Sequence, residues 1–475
     1  MKLKIFCLLA AVCVAPLRAQ NKQVYDLRRC IETAIENNID IQLSELNVEN
    51  ADISYRQSLL NMAPNLSANG GQFYQSGRSI DRFSNQFVQK TVGNSSAQLQ
   101  SNWLLYAGGS IRNTSKQRKK NLEAVQLDYQ QVQQNIALNV VLTYLQCQQN
   151  KESWAAQQSN TQNAVRETKR IEKLYKAGAS NQGALLAAQA QEAQATSLEV
   201  QSKNQYLNSI LSLKNLMRLD HTEMLQLADM TTAVPEYVEF PIEVNELIDS
   251  ALSHRPDYQA SSKRSESMLY ALKAAKGALQ PTLSVGANLS TVYSDNAIEI
   301  TGSQISGTQP IGFVQGSGDI VEAPKFDYST QTIGFGTQMR DNFGQSFGAT
   351  LSVPIFNRLQ TQTNIAQSRL ALIQSKWNQK QIKQAVINDV VNAQQTFNSA
   401  ATNYQALRSN YEAQSKNLDF VQKQFNLGQV SFYEVQQTKN QARQAYQQLL
   451  SAKYEAALRD IILQFIAHGD IKRID

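Results

Sequence analysis

The two halves of this sequence carry the same landmarks at constant spacing, so whatever fold it adopts has to be built twice. Ala34, Asp40, Pro64 and Leu66 recur as Ala251, Asp257, Pro281 and Leu283, each 217 positions later. Tyr106, Val140-Val141 and Gly178 are matched by Phe356, Val390-Val391 and Gly428, now 250 positions later. Self-similarity at this scale predicts two copies of one structural unit. The offset grows by 33 within the Gly- and Ser-rich stretch 294–330, which holds Gly302, Gly307, Gly312, Gly316 and Gly318. That extra length is expected as a surface loop, either one projecting outward from a barrel or a disordered crossover without a ligand.

Within each copy, proline and glycine are confined to a few places. Proline is absent from Asn65 to Val234 and after Pro354; glycine is absent from Ser110 to Ala177, Ala184 to Lys276 and Ala349 to Leu427. Both residues interrupt helices. In the tracts they avoid, apolar residues recur at steps of three and four, as in Leu122, Val125, Tyr129, Val132, Ile136 and Val140, and again from Leu370 to Phe397 and from Tyr404 to Phe425. These tracts predict coiled-coil-like helices, and one covering Ala107 to Ala177 would reach about 100 Å. The faces outside the seams are Gln, Asn, Ser and Ala, and with 58 Gln and 37 Asn a fifth of the chain is uncharged amide. A solid bundle needs a wider apolar stripe. The helices are therefore expected to be wet on two sides, either in a hollow ring or in an extended solvated coiled coil.

Shorter regions change to a period of two. Leu283, Val285, Ala287, Leu289, Thr291 and Tyr293 alternate with mostly small or polar residues, as do Phe347, Ala349, Leu351, Val353 and Ile355. Weaker alternation runs from Leu66-Ala68 to Phe73-Tyr74 and through Ala97, Leu99, Ser101, Trp103 and Leu105. Strands of roughly barrel-spanning length are expected at about 65–78, 95–106, 281–293 and 345–356. Four strands do not close a membrane barrel, since single-chain barrels begin near eight and lipid tolerates no open sheet edge. Several copies must pool their strands. Trp103, Tyr106 and Phe356 stand where strand gives way to helix, either as membrane-interface aromatics or as plugs of that corner. Lys116, Arg118, Lys119 and Lys120 follow, facing either lipid headgroups or plain water.

The first residues read as an export signal. Lys2 and Lys4 precede an apolar run from Ile5 to Val14 and then Leu17-Arg18-Ala19, too short to span a bilayer and suited to cleavage before Gln20. A lipid anchor needs a small residue before the acceptor cysteine, whereas Cys7 follows Phe6 and Cys13 follows Val12. Removing Lys2, Lys4 and Arg18 lowers the formal net charge from +6 to +3, which leaves little reason to expect nucleic acid. Cys30 and Cys147 lie among apolar neighbours in helix-like sequence and are expected as two buried free thiols. His221, His254 and His468 are dispersed, and no H-E-x-x-H, C-x-x-C or Walker loop occurs. No metal, cofactor or enzymatic chemistry is expected.

Taken in order, these features resemble the TolC-like outer-membrane efflux protein family, the outer membrane factors. The resemblance rests on the signal, the duplicated unit, an A-x-x-x-R-P-[DE] opening present as Ala251-Leu252-Ser253-His254-Arg255-Pro256-Asp257, a proline at each helix-to-strand junction (Pro64, Pro281) and a glycine in each helical hairpin (Gly178, Gly428). It covers essentially the whole mature chain. It implies a mixed fold, all-α plus membrane β, in which long helices form a periplasmic α-barrel and four strands per protomer join a shared trimeric 12-stranded outer-membrane β-barrel. The implied organisation is a signal peptide at 1–19, a first repeat at 20–219, a linker at 220–243 around Pro235 and Pro241, a second repeat at 244–468 and a tail at 469–475. The implied function is a passive exit duct, a homotrimer set in outer-membrane lipid and docked by a periplasmic adaptor to an inner-membrane pump of RND or ABC type. A channel for type I protein secretion shares this architecture, and an exported scaffold without a pore is a third reading. The hairpin glycines would permit the turns where such a duct opens. Similar proteins carry acids just after the hairpin glycine. Six positions past Gly428 stands Glu434, an entrance-ring candidate or else a solvated helix carboxylate; Gln437 and Ala184 stand where further acids would thicken the ring.

Overall fold

The computed structural model describes residues 24–80, 87–89, 91–220, 222, 225–228 and 243–468. The expected signal peptide and tail, His221 and the linker prolines Pro235 and Pro241 lie outside the described residues. The first series of elements is β1 (Val24–Tyr25), α1 (Leu27–Asn37), α2 (Ile39–Leu60), β2 (Asn65–Gln75), β3 (Arg78–Ile80), β4 (Phe87–Gln89), β5 (Val92–Ala107), α3 (Ser110–Lys176), α4 (Gln182–Met217) and β6 (Gln226–Leu227). The second is α5 (Val244–His254), α6 (Pro256–Gly277), β7 (Thr282–Ser294), β8 (Ile298–Phe313), β9 (Ile320–Thr332), α7 (Phe335–Asp341), β10 (Gly344–Ser352), α8 (Gln360–Asn426) and α9 (Phe432–His468). Both ends of α1 and α2 reappear 217 residues later as the ends of α5 and α6, and both ends of α3 reappear 250 residues later as those of α8, each 67 residues long. The offsets in the sequence are the offsets of the helices themselves.

The chain divides into two compact units, Met1–Asn50 with Leu122–Arg264 and Ser375–Asp475, and Ala51–Asn121 with Ser265–Gln374. The first unit is mainly helical, with the short parallel pair β1–β6, and holds two cores at repeat-equivalent positions. Cys30, Ala34, Val140, Cys147 and Leu213 are buried in one, and Leu247, Ala251, Val390, Phe397 and Leu463 in the other. In each, a short helix (α1 or α5) lies on the end of a long one (α4 or α9), and Pro-free sequence keeps the supporting helix continuous. The two cysteines thus occupy places that the second repeat fills with Leu and Phe. Both are free, and burial pushes their thiols up to about 12 for Cys30 and about 11 for Cys147.

Arg255 fixes the junction between α5 and α6, reaching Asp257 at 2.6 Å and Asp389 of α8 at 2.8 Å. Its counterpart Asn38 instead accepts the Asp40 amide at 2.8 Å and caps α2. His254 stays at the surface of the same turn, its Nδ1 2.9 Å from the Ser250 carbonyl.

The second unit carries a four-stranded sheet in the order β10-β7-β5-β2, antiparallel throughout. Its strands depart from the expected bounds. β2 stops at Gln75 and a small hairpin, β3 with β4, follows; β5 begins at Val92; β10 stops at Ser352, so Val353, Ile355 and Phe356 lie past its end. Pro354 has no N–H to give a ladder, and Arg358 and Leu359 take the left-handed conformation, φ 57° and 61°, to enter α8. The expected structureless loop at 294–330 is instead a long antiparallel ribbon, β8 with β9, followed by the short α7. Its alternation is hidden in the sequence because Thr301, Ser306 and Ile311 each drop out of register as bulges, and each is followed by a glycine.

Candidate functional site

The sheet separates its side chains by chemistry. Residues directly opposite on paired strands share a face, and the register Leu66↔Ser101, Trp103↔Val285, Leu99↔Leu289, Phe347↔Ala287 and Leu351↔Leu283 gathers one apolar face. The other face collects Asn65, Ser67, Gln98, Gln100, Asn102, Ser284, Asn288, Ser346 and Thr350. On it Gln98 donates to Asn288 at 2.7 Å across the strands. A bulge between Leu104 and Tyr106 removes Leu105 from the expected alternation and puts Tyr106 opposite Leu283, on the apolar side. At its outer end α7 rests on this face, with Phe335 5.1 Å from the Tyr293 ring; at the β10 edge the apolar side chains stand open, and Phe347 is 92% exposed. The outer strands β2 and β10 each have one partner in this sheet, so a row of backbone donors and acceptors is left open at either edge.

The proposed landmarks of this region take definite places. Pro64 and Pro281 each immediately precede a strand, β2 and β7. Trp103 lies on the apolar face, and its indole donates to the Met62 carbonyl at 2.8 Å beyond the end of α2. Tyr106 is near the end of β5, whereas Phe356 is in the segment leading to α8. Farther along, Lys116 lies over the Tyr270 ring and Lys120 pairs with Glu266 at 3.0 Å, which ties part of the basic run to α6.

In the helical unit the two hairpins are near copies. Gly178 and Gly428 have φ of 75° and 74°. At the first, Gly178 N–H donates to Tyr175 O at 3.0 Å and Ala179 N–H to Leu174 O at 2.8 Å; at the second, Gly428 donates to Phe425 at 2.9 Å and Gln429 to Gln424 at 3.0 Å. This double closure satisfies the last carbonyls of α3 and α8 and requires the left-handed residue between. Asn181 then caps α4 by accepting the Ala184 amide at 2.8 Å, and Ser431 accepts the Glu434 amide at 3.3 Å at the start of α9. Glu434 is exposed in the first turn of α9, where the helix N-terminus favours a carboxylate.

Two cations follow it on α9. Lys439 and Arg443, one turn apart on α9, line a small cleft with Asn160, Glu167 and Gln436. Burial lowers both, opposed at Lys439 by Glu167 and reinforced by Arg443. Their signal was the i, i+4 spacing shortly after an entrance-type acid.

No helix among the described residues is long and apolar enough to cross a membrane. The chain matches the family described as outer membrane efflux protein over residues 30–217 and 247–467. It belongs to the outer membrane efflux protein family. Outer membrane efflux proteins are channels rather than enzymes, and their place is the outer membrane. A comparison with curated sequences finds no match. Among solved structures, CusC is similar at 18% identity and a TM-score of 0.75, covering 94% of this chain and 92% of that one. The Campylobacter jejuni CmeC outer membrane channel is similar at 16% identity and 0.70, covering 93% and 85%. The open state of the Neisseria gonorrhoeae MtrE outer membrane channel is similar at 16% identity and 0.69, covering 93% and 88%. At such identities the likeness carries the fold.

Proposed function

We propose that three copies of this efflux-family chain assemble into the exit duct of a tripartite efflux system, passing small molecules delivered by an inner-membrane pump of RND or ABC type through a periplasmic adaptor. The observation that carries this is the sheet: one exposed apolar face, one amide- and hydroxyl-lined face and two open edges. In lipid such edges have to be paired, and pairing β2 of one copy with β10 of the next closes a barrel with lipid outside and water within. The long helices, apolar only along narrow seams, suit a tube wet on both sides. Glu434, at the start of α9 beside a hairpin, would form a thin acidic ring at the periplasmic entrance. A scaffold without a pore would leave the apolar face and both edges unused.

Single-particle imaging of the protein extracted from the outer membrane into detergent tests this. Threefold hollow particles with one barrel support the duct. Monomers or solid filaments would remove it.

A further inference from the structure

The β8–β9 ribbon is a rigidly mounted apolar surface. Gln338 of α7, 1% exposed, clasps its base: its Oε1 accepts the Ser294 amide at 2.9 Å, and its Nε2 donates to Ser294 O at 2.9 Å and Ile333 O at 2.7 Å. Thr291 of β7 donates to Met339 O at 2.7 Å, and Asn342 donates to Val292 O at 2.8 Å, seating α7 on β7. The ribbon's register makes its two faces unlike. Ile305↔Phe326 and Phe313↔Ile320 fall on one face with Ile300 and Tyr328, all 44–71% exposed, and the carboxylate on that face, Glu322, accepts from Thr308 of β8 at 2.5 Å. Gly302, Gln304, Gly307, Gln309 and Gly312 fall on the other. An isolated two-stranded ribbon is marginal in water, and an apolar face of this extent marks a contact surface.

Resting on the trimeric duct proposed above, we infer that this face packs against the same face of the other two copies, so that three ribbons form an apolar cap over the outer mouth of the barrel. The ribbon leaves the sheet from β7 and returns through α7 to β10. β10 is an open edge, one of the two at which neighbouring copies have to join, so the ribbon continues that interface beyond the sheet. The thirteen residues of β9 at about 3.3 Å each span about 43 Å. That exceeds the roughly 12 Å radius of a 12-stranded barrel with strands about 4.8 Å apart and tilted about 40°. Three ribbons can therefore meet on the axis, and the bulges at Thr301, Ser306 and Ile311 supply the bending that this requires.

The test uses the full-length protein in intact cells with Ile305→Cys, Phe326→Cys and, on the opposite face, Gln304→Cys. A short bis-maleimide is expected to link Ile305→Cys or Phe326→Cys copies into dimers and trimers and to leave Gln304→Cys unlinked. A bulky impermeant maleimide should label the first two more slowly by on the order of tenfold, since access requires local opening. Fast equal labelling of all three without links overturns the cap, as does linkage to a different protein. Native mass of the extracted wild type and of a chain with residues 298–332 replaced by Gly-Ser-Gly separates the two levels. Trimers in both without links at Ile305→Cys or Phe326→Cys defeat the cap and leave the duct standing, whereas monomeric wild type defeats both.

Discussion

At the residue scale, the hairpin glycines and the two thiols show how position rather than residue type sets a role. A Cβ added at Gly178 would meet nothing within 4 Å, so the demand there is conformational: an L-residue at φ 75° costs about 1–2 kcal/mol. Gly178→Ala should therefore lower the urea midpoint by an amount corresponding to about that cost, with Gly178→Asn falling between it and wild type. An unchanged midpoint for both would show that the turn relaxes to another conformation. The thiols give a pH prediction. Both are raised by burial, to about 12 and about 11 from an unfolded value of 9.0, so their contribution is fully present below pH 9 and is lost as pH climbs towards 12. Native protein should resist Ellman's reagent at pH 8 and react at both sites once denatured. The Cys30→Ala/Cys147→Ala double variant should lose stability less steeply above pH 9.

At the element scale, the sequence was legible wherever a period ran uninterrupted. The Gly- and Pro-free tracts showed the long helices, and the second-half alternation at Leu283–Tyr293 located β7. What it concealed was alternation broken by bulges. The Leu104/Tyr106 irregularity exchanged Leu105 for Tyr106 on the apolar face, and three bulges in β8 made an amphipathic ribbon read as a Gly- and Ser-rich loop. The signal was present as Thr-Gly-Ser-Gln-Ile followed by Ser-Gly-Thr-Gln-Pro from Thr301 to Pro310, a five-residue recurrence with a bulge and a glycine in each turn of it. Cross-strand register, which a single sequence does not display, also decides the two faces of the sheet. Those faces predict opposite outcomes at neighbouring positions. Ala287→Arg puts a charge on the apolar face and should destabilise the membrane-inserted protein by about 2–4 kcal/mol near mid-bilayer, read as loss of heat-resistant oligomer on gels. Asn288→Arg, on the polar face, should fold and reduce cation conductance in planar bilayers.

At the scale of the whole molecule, duplication gives the chain two hairpins of one design with unequal chemistry. Where α9 carries Glu434, Lys439 and Arg443, the equivalent positions of α4 are Ala184, Gln189 and Ala193. Counting from Gly428 reaches Glu434, which stands exposed in the first turn of α9. The cleft that half-buries Lys439 and Arg443 depends on α3 and α9 meeting, which no local pattern reports. If Glu434 lines the entrance, Glu434→Gln should lower the cation-to-anion permeability ratio a few-fold, most clearly at low salt where screening is weak. A ratio that does not move at any ionic strength would return Glu434 to an ordinary surface carboxylate.

The open edges of the four-stranded sheet also bear on biogenesis. A single copy has no resting place in the bilayer, because β2 and β10 would each present unpaired amides and carbonyls to hydrocarbon at a cost of several kcal/mol per group. In the duct proposed above, insertion and assembly are therefore one event. On that reading a newly exported chain has to wait on the aqueous side, its apolar face shielded, until its companions arrive, and the supply of channels should rise more steeply than the supply of chains.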